Sequence, residues 1–434
     1  MSGAAAVRPH EGARSARGAL PRLLSGLAEH DRIGWEAHLD THGELPMPRR
    51  EGRDELIRHI EDSGLRGRGG AGFPTGRKMR AVASATRRSA VVVNAVESEP
   101  LSEKDRTLAL QAPHLLLDGA ALAARALGAD QVLIAVCERD RDAMRSVAAA
   151  IVERPRRRRD PELDLRPVPP AYVASQESAL VAHLDGRAAL PQFAPPLPFE
   201  RGVRRRPTFL SNAETFAHIA LIARHGPRWF RELGTEEEPG SVLVTLSGAV
   251  HRPGTYEIEP GTSLRDLVAA AGGVTAQPRA GLFGGYGGGW LPGATLGSVV
   301  LSEAELAAGG ATLGTGAIAL LGPETCPAAE AARALRWLAE QSAGQCGPCV
   351  NGLAALSESF EGLLIGAVPD YRGRLQGLAE TVAGRGACRH PDGAARLLLS
   401  ALDSFAEELE DHARHGLCEA CHASPMLPFP EPTR

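Results

Sequence analysis

The first half of the chain alternates between short apolar runs and amphipathic segments. Apolar runs at 89–97 and 131–137 predict buried strands. Helical spacing follows each of them, at 114–129 and at 141–154, and also marks 53–64. Alternation of strands and helices is typical of an α/β layer with a mostly parallel sheet.

The pattern changes twice farther along the chain. From Ser241 to residue 273 it predicts strand, turn, strand and helix, the order of a small β-grasp domain. From Cys326 onward, helical segments joined by short loops predict a helical bundle. The predicted parts are a partly ordered lead-in over 1–50, an α/β domain over 51–236, a β-grasp domain over 237–322 and a helical bundle over 323–434.

Composition limits the partners of this chain of 434 residues. A formal net charge of −4 gives no overall field that would attract nucleic acid or an anionic membrane. No apolar run approaches the ~18 residues of a membrane span, and the start lacks the apolar core of a secretory signal. We therefore expect a cytoplasmic protein with no nucleic-acid partner and no direct membrane span. In a reducing compartment, seven cysteines favour metal or redox chemistry over disulfides.

Lysine is rare in this sequence. Only two of the 48 basic residues are lysines, Lys78 and Lys104, and both fall within 64–106. Lysine offers a compact ammonium where arginine offers a wide planar fork. This window is therefore predicted to need a point charge.

A glycine-rich loop lies in the same window. Gly67, Gly69 and Gly72 match G-x-G-x-x-G, the spacing of a dinucleotide-binding turn. That turn needs a strand before it and a helix after it, whereas a predicted helix precedes this loop, and Pro74 and Gly76 are expected to block a helix immediately beyond it. Backbone N–H groups of such a loop can still converge on phosphate oxygens. We predict phosphate binding rather than a flexible linker.

The cysteines near the end of the chain allow several interpretations. Cys346 and Cys349, together with the tail pair Cys418 and Cys421, could hold zinc as two C-x2-C pairs in an interaction module, but Cys388 would then be left over. The tail sequence CEACH also matches a c-haem attachment pattern, which requires export. A thioredoxin-like dithiol would need an α/β setting.

The two remaining cysteines lie outside these patterns. Cys137 falls in a predicted strand and Cys326 at a predicted helix start. Both are expected to be ordinary buried residues.

Four segments, in order, resemble those of one protein family. GLRGRGGAGFPTG at 64–76 resembles its flavin loop, and NAVESEPLSEKDR at 94–106 resembles NADEGEPGTFKDR. YVASQESALVAHLDG at 172–186 resembles YICGEETALLESLEG, and RPTFLSNAETFAHI at 206–219 resembles PTVVNNVETL. The family is that of the flavin-bearing, NADH-oxidising subunit of respiratory complex I and the related diaphorase subunits of NAD-linked hydrogenases and formate dehydrogenases. The resemblance covers about 53–412.

The resemblance implies FMN as cofactor and NAD(P)H as substrate. Hydride would pass to the flavin, and single electrons would pass to an iron–sulfur cluster and then to a ferredoxin-like acceptor or a partner subunit. The implied cofactor-binding residues are Gly64, Arg66, Gly67, Gly69, Gly70, Gly72, Phe73, Lys78, Asn94, Glu97, Glu99, Glu177 and Asn212.

Each part of this set has an implied role. The glycine loop and Lys78 would hold phosphate, and the two asparagines would hydrogen-bond the flavin. Glu99 and Glu177 would line the nicotinamide side, and Phe73 would stack on a nucleotide ring.

The chain departs from the family pattern at several of these places. Val96 stands where the family has Asp, Ser175-Gln176 where it has Gly-Glu, and Ser211 where it has Asn. Ala81 replaces an aromatic residue, and residues 194–198 read APPLP instead of KPPFP. Each lost group should weaken nucleotide binding by about 1–3 kcal/mol. A divergent, non-catalytic assembly subunit is therefore the alternative.

The family holds a [4Fe–4S] cluster with S-C-G-x-C-x-P-C and one later cysteine. Cys346, Cys349 and Cys388 match three of these ligands, whereas Ala343 stands at the first position. Three thiolates could hold a [3Fe–4S] cluster, or a [4Fe–4S] cluster completed from elsewhere. The tail pair is the predicted source of the missing ligand.

Overall fold

The computed structural model describes residues 20–47, 52–155, 160–366 and 371–431. The predicted boundary at residues 50 and 51 and much of the predicted lead-in lie outside the described residues. The described part of the lead-in buries Leu23, Leu24 and Leu27 in the core of the α/β domain. Within the described residues, no helix is long and apolar enough to cross a membrane.

The described residues form α-helices and β-strands with the following bounds. The helices are α1 (Trp35–His42), α2 (Arg53–Ser63), α3 (Thr75–Ala83), α4 (Lys104–Gln111), α5 (Pro113–Leu127), α6 (Arg141–Glu153), α7 (Glu177–Leu184), α8 (Pro198–Arg201), α9 (Ala213–Phe230), α10 (Leu264–Ala270), α11 (Glu303–Ala308), α12 (Pro327–Glu340), α13 (Leu353–Leu364), α14 (Tyr371–Val382), α15 (His390–Ser404) and α16 (Ala406–His415). The strands are β1 (Ala90–Ala95), β2 (Gln131–Cys137), β3 (Glu162–Val168), β4 (Thr208–Asn212), β5 (Val242–Gly248), β6 (Gly254–Ile258), β7 (Thr262–Ser263), β8 (Ala280–Phe283), β9 (Gly289–Pro292), β10 (Val300–Leu301) and β11 (Ala317–Leu321).

The α/β domain contains a four-stranded sheet with the order β3-β2-β1-β4. All its neighbouring strands are parallel, so the predicted parallel sheet is confirmed. The central strands β1 and β2 are almost wholly buried because Val, Ile and Leu fill both faces. The edge strand β3 was not predicted, since its charged residues and proline hide the apolar signal.

The helix after the glycine loop corrects one expectation. α3 begins at Thr75, directly after Pro74, so no helix is blocked at this point. Pro74 lies at the N-cap, where its missing N–H removes no helical hydrogen bond. Gly76 allows α3 to approach α2, because an added Cβ would lie 2.5 Å from Cγ of Glu61. The loop therefore connects two helices, and the strand that a dinucleotide-binding turn requires is replaced by α2.

A five-stranded sheet with the order β6-β5-β11-β8-β9 forms the second part. β11 is parallel to β5, and the other pairs are antiparallel. A glycine-rich stretch at residues 284–288 connects β8 to β9 as a hairpin. Trp290 on β9 is fully buried, and its backbone N–H donates to Oγ of Ser400 on α15 at 3.0 Å. This sheet and the C-terminal bundle therefore share a core.

Acid should weaken the α/β core through His114, at the start of α5. Its side chain is fully buried, and burial lowers its pKa to about 4, although Nε2 lies 2.8 Å from Oε2 of Glu153. The imidazole binds a proton more readily in the unfolded chain than in the folded one. The contribution of neutral His114 to the free energy of unfolding is therefore fully present above pH ~6.5 and is lost as the pH drops toward 4. Between pH 7 and pH 5, wild type should lose about 2 kcal/mol more unfolding free energy than His114→Gln in denaturant titrations. Equal losses in both proteins would contradict this assignment.

Candidate functional site

The carboxyl ends of β1 and β4 bring two predicted residues together. Asn94 and Asn212 are register partners at this edge of the sheet. The amide of Asn94 donates to the Ser175 carbonyl oxygen at 2.8 Å, and the amide of Asn212 donates to both carboxylate oxygens of Asp105 at 3.1 Å. Ligands of open α/β sheets bind at this edge.

Lys78 on α3 extends toward the same edge. Its ammonium donates to Oε1 of Glu177 at 2.6 Å and to the carbonyl oxygen of Leu210 at 2.9 Å. Glu177 is the first residue of α7, whose N-terminus is capped by the side chain of Gln176. The structure therefore joins two predicted residues, Lys78 and Glu177, by an ion pair beside the two asparagines.

The glycine loop runs past these side chains. An added Cβ at Gly69 would lie 4.0 Å from Asn212, and one at Gly67 would lie 3.5 Å from the carbonyl oxygen of Phe73. Gly70 and Gly72 have φ values of 92° and 59°, a conformation that glycine adopts without strain. This leaves a backbone surface free of side chains beside the asparagines.

Two of the predicted cofactor-binding residues, Gly64 and Arg66, hold the glycine loop in its conformation. Gly64 ends α2 in the left-handed conformation, with φ of 71°, and an added Cβ there would lie 2.8 Å from the Arg231 guanidinium. Arg66 forms a bridge with Pro74 that closes the loop, and it lines a small cavity of about 60 Å³ together with the loop glycines. The conformation of the loop is therefore fixed from both ends.

A buried ion cluster supports the sheet edge from below. The ammonium of Lys104 lies 2.6 Å from Asp105 and 3.1 Å from Glu214, and its side chain is 3 % exposed. Burial alone would lower the pKa of Lys104, but Asp105, Glu214 and Glu97 hold it above its ordinary value. Asp105 in turn accepts hydrogen bonds from Asn212 and from the backbone N–H of Glu214. The second lysine thus positions Asn212 through Asp105.

Two further predicted carboxyl groups have raised pKa values. Burial, with Asp105 nearby, raises the pKa of Glu97 to about 8, and its Oε2 accepts the Asp105 backbone N–H at 2.9 Å. Burial raises the pKa of Glu99 to about 7. Oε2 of Glu99 accepts from the Tyr286 backbone N–H at 3.1 Å and from the Tyr172 hydroxyl at 3.3 Å. Both groups can therefore change charge near neutral pH.

An open cleft of about 860 Å³ lies beside α7, and Glu177 is the one predicted cofactor-binding residue that lines it. Its lining includes Glu177, Phe193 and Ala387, the neighbour of Cys388. Phe73, predicted to stack on a nucleotide ring, is 40 % exposed and lies 6.4 Å from the Phe199 ring, centre to centre. The cleft thus connects the α/β domain with the cysteine-bearing helices.

Three of the predicted metal ligands form one group in the bundle. Cys346 and Cys349 flank the start of a π-helical turn, Pro348–Gly352, and Cys388 precedes α15. Burial, with a smaller contribution from the neighbouring thiols, raises the pKa of the Cys349 thiol and raises that of Cys388 to about 11. Iron binding would have to displace their protons.

The tail pair lies in a different group. Sγ of Cys421 is 3.5 Å from Sγ of Cys326 and 3.9 Å from Nε2 of His412, and Cys418 is 3.5 Å from Cys421. This placement disagrees with the prediction that the tail completes the cluster. The zinc set predicted from the two C-x2-C pairs is not gathered either. Cys326, expected to be an ordinary buried residue, is a member of the tail group.

Four residues of these sites were missed in the sequence. Asp105 directly follows Lys104 in the EKDR motif, so a local signal for it is present in the sequence. Tyr172 begins one of the four resembling segments, yet its contact with Glu99 depends on folding. Cys326 and His412 are 86 residues apart, and no local spacing links them.

The family comparisons agree with this arrangement. The chain matches the family models of the Nuo51 FMN-binding domain over residues 60–221, the SLBB domain over 243–288, and the NADH-ubiquinone oxidoreductase-F iron-sulfur binding region over 329–412. The α/β domain, the part with the five-stranded sheet and the helical bundle therefore each contain the match of one family model.

Curated relatives and solved structures cover nearly the whole chain. The F subunit of NADH-quinone oxidoreductase in Mycobacterium bovis is 33% identical over 420 residues, 91% of each chain, and that of Streptomyces coelicolor is 34% identical over 83% of each chain. The NAD+-reducing [NiFe]-hydrogenase in its H2-reduced state matches with a TM-score of 0.81 and 29% identity, over 92% of this chain and 67% of that chain. The chain therefore belongs to the family of NADH-quinone oxidoreductase F subunits and has its FMN-binding and [4Fe–4S]-binding regions.

Proposed function

We propose that this chain oxidises NAD(P)H at FMN and passes single electrons through its iron–sulfur cluster to an acceptor protein. The observation that carries the proposal is the cleft that is lined both by Glu177, at the flavin-binding edge, and by Ala387, next to Cys388. Tyr172 adds a second connection, because its hydroxyl donates to Glu99 and its ring lies 5.3 Å from the ring of His390. The nucleotide side and the cluster side are thus neighbours.

The residues at the sheet edge fit FMN. The glycine loop offers backbone donors without side chains in the way, and Lys78 supplies a cation for the phosphate. Asn94 and Asn212 supply amides at the edge where α/β sheets bind ligands. Bound FMN would supply the chemistry that converts a two-electron donor to one-electron transfer. Glu177, now paired with Lys78, would turn toward the nicotinamide side.

The cluster region fits an iron–sulfur centre through its donor set. Three thiols approach from two segments, and the soft sulfur ligands suit iron and sulfide. Ala343 offers no ligand at the fourth position, so we propose either a [3Fe–4S] cluster or a [4Fe–4S] cluster with an outside ligand.

The acceptor is proposed to be a ferredoxin-like protein or a partner subunit that contacts the bundle. Val350 directly follows Cys349 and is 55 % exposed, which offers an apolar contact beside the cluster. We also propose that the five-stranded sheet, which includes the SLBB match, has the β-grasp fold, because its strands follow the order second, first, fifth, third and fourth and helix α10 lies between the second and the third.

A substitution in the glycine loop should separate cofactor binding from folding. Gly69→Ala places a methyl group at ordinary contact distance from Asn212, on the surface where the phosphate would lie. We expect FMN affinity to fall about tenfold or more, since one lost hydrogen-bonded phosphate contact is worth about 1.5–3 kcal/mol. Fluorescence titration of the flavin-free protein measures this change.

Gly377→Ala, on an exposed face of α14, is the matched control. An added Cβ there meets no atom within 4 Å, so FMN affinity should stay at the wild-type value. Equal affinities in Gly69→Ala and wild type would rule out the loop as the phosphate site.

Anaerobic reduction by NADH tests the function itself. The purified chain should contain FMN, iron and acid-labile sulfide, and NADH should bleach the flavin and then reduce the cluster. Reduction should produce an EPR signal if the cluster is [4Fe–4S] and remove one if it is [3Fe–4S]. Bound flavin that NADH and NADPH leave oxidised would favour the non-catalytic assembly subunit. A protein with neither flavin nor sulfide would refute the proposal.

A further inference from the structure

The tail group contains four metal-binding side chains that come from three separate segments. They are Cys326 before α12, His412 on α16, and Cys418 and Cys421 around a 3-10 turn. One ligand atom from each residue lies within 4.8 Å of every other, so the four form a compact tetrad.

We propose that Cys326, His412, Cys418 and Cys421 bind one zinc ion that is separate from the iron–sulfur cluster. Tetrahedral zinc, with bonds of about 2.3 Å to sulfur and about 2.0 Å to nitrogen, places two sulfurs about 3.8 Å apart and sulfur and nitrogen about 3.5 Å apart. Sγ of Cys421 lies 3.5 Å from Cys326 and from Cys418, and 3.9 Å from Nε2 of His412. Sγ of Cys326 lies 3.4 Å from the same nitrogen. These edges match a single ion at the centre.

The imidazole is oriented for metal binding. Nδ1 of His412 lies 2.9 Å from the carbonyl oxygen of Gly416, which can only accept, so Nδ1 carries the hydrogen. Nε2 then presents its lone pair to the three sulfurs. Histidines that bind a metal through one ring nitrogen commonly donate the N–H of the other to an acceptor such as a backbone carbonyl oxygen.

The backbone around the thiols also supports a metal site. Cys326 is the N-cap of α12, and its sulfur accepts the Ala329 N–H at 3.3 Å, which fixes the sulfur at the start of this helix. Arg333 donates to the carbonyl oxygens of Cys421 and Ala423, each at 2.8 Å, and so fixes the second C-x2-C turn against α12. The tetrad is therefore held by packing before any ion arrives.

The spacing distinguishes this tetrad from a disulfide or a cluster site. The sulfurs of Cys418 and Cys421 are 3.5 Å apart, well beyond the ~2.05 Å of a disulfide bond. The ligands of an iron–sulfur cubane bind different irons and so stand farther apart than ligands that share one ion. Three cysteines with one histidine form a common closed zinc site.

Zinc binding would release the three thiol protons, leaving a site with a net charge of −1. Glu408 is placed to receive one of these protons, because its Oε1 lies 2.9 Å from Sγ of Cys326. Arg279 pairs with the other carboxylate oxygen at 3.0 Å and supplies a positive charge at this side.

A zinc ion at this site would fix the position of the C-terminal tail segment, which contacts both the five-stranded sheet and the helical bundle. In the tail segment, residues 416–431, the Pro428 carbonyl oxygen accepts from the Tyr286 hydroxyl at 2.6 Å, and that of Pro430 accepts from the Trp337 indole at 2.8 Å. Tyr286 follows β8, and Trp337 lies on α12. The zinc site thus anchors a strap between the SLBB sheet and the bundle, close to the Glu99 contact of Tyr286.

Metal analysis of single variants tests the proposal. The full chain, purified anaerobically, should contain about one zinc besides its iron. Cys421→Ser should lose zinc and keep iron, whereas Cys346→Ser should lose iron and keep zinc, and Cys137→Ser should keep both. Loss of iron in Cys421→Ser, or a wild-type protein in which this site holds iron or no metal, would overturn the proposal.

A measurement on wild type covers the case in which Cys421→Ser does not fold. Cobalt(II), exchanged for zinc, should give the intense visible bands of tetrahedral thiolate coordination without altering the cluster EPR signal. Removal of zinc by a chelator should speed hydrogen exchange in the tail segment about tenfold or more, and added zinc should reverse it. A cobalt spectrum typical of octahedral coordination, or hydrogen exchange in the tail segment that stays unchanged when the chelator is added, would refute the zinc site.

Discussion

Replacing Lys104 by methionine is expected to lower the free energy of unfolding by about 3–5 kcal/mol. The ammonium is buried between Asp105 and Glu214, at 2.6 and 3.1 Å, and Glu97 lies nearby. The methionine side chain is about as long as that of lysine, but it leaves the buried carboxylates without their cation. Because Asp105 holds Asn212, FMN content should fall as well. Denaturant titration and flavin absorbance measure the two effects.

The pH dependence of this loss provides a second readout. Without Lys104 the buried carboxyl groups should titrate with raised pKa, so the variant regains stability as acid protonates them. The difference from wild type should therefore shrink from pH 8 to pH 5. Arg88→Met is the matched control, because Arg88 pairs with Asp130 at 2.7 Å on the surface and should cost at most about 1 kcal/mol. Similar losses of unfolding free energy in both variants would show that the buried ion pairs of Lys104 stabilise the fold no more than a surface ion pair does.

Replacing Cys388 by serine should abolish the cluster while preserving the flavin. Cys388 is the one member of its thiol group that comes from the start of α15 rather than from the π-helical turn. Two remaining thiolates from one turn do not enclose an iron–sulfur cluster. We expect iron and sulfide to fall to near zero, and transfer to a one-electron acceptor protein to fall roughly 100-fold or more.

Stopped-flow absorbance and EPR separate the two halves of the reaction. NADH should still bleach the flavin of Cys388→Ser, because the sheet edge with Asn94, Lys78 and Asn212 is untouched. Cys137→Ser, at the end of β2, should behave as wild type in both measurements. An unchanged EPR signal in Cys388→Ser would exclude this thiol as a ligand.

Much of the α/β core could be predicted because its signals are local. The run at 131–137 coincides with β2, and the apolar and helical periods near it gave β1, α5 and α6 within a few residues. The edge strand β3 was not predicted, since its charged residues and proline leave a weak apolar pattern. α3 escaped because proline and glycine were counted as helix breakers, whereas an N-cap proline and a glycine at a helix contact are both compatible with a helix.

The sequence by itself determined the family and the cofactor types, and it predicted three thiols as cluster ligands, because each depends on ordered motifs of adjacent residues. The tertiary structure alone decided how distant side chains meet. Lys104 pairs with Glu214 across the α/β domain, and Cys421 reaches Cys326, 95 residues away, instead of the cluster thiols. The physical reason is that packing of helices and sheets brings these groups together, and neither periodicity nor spacing along the chain records which helix faces which.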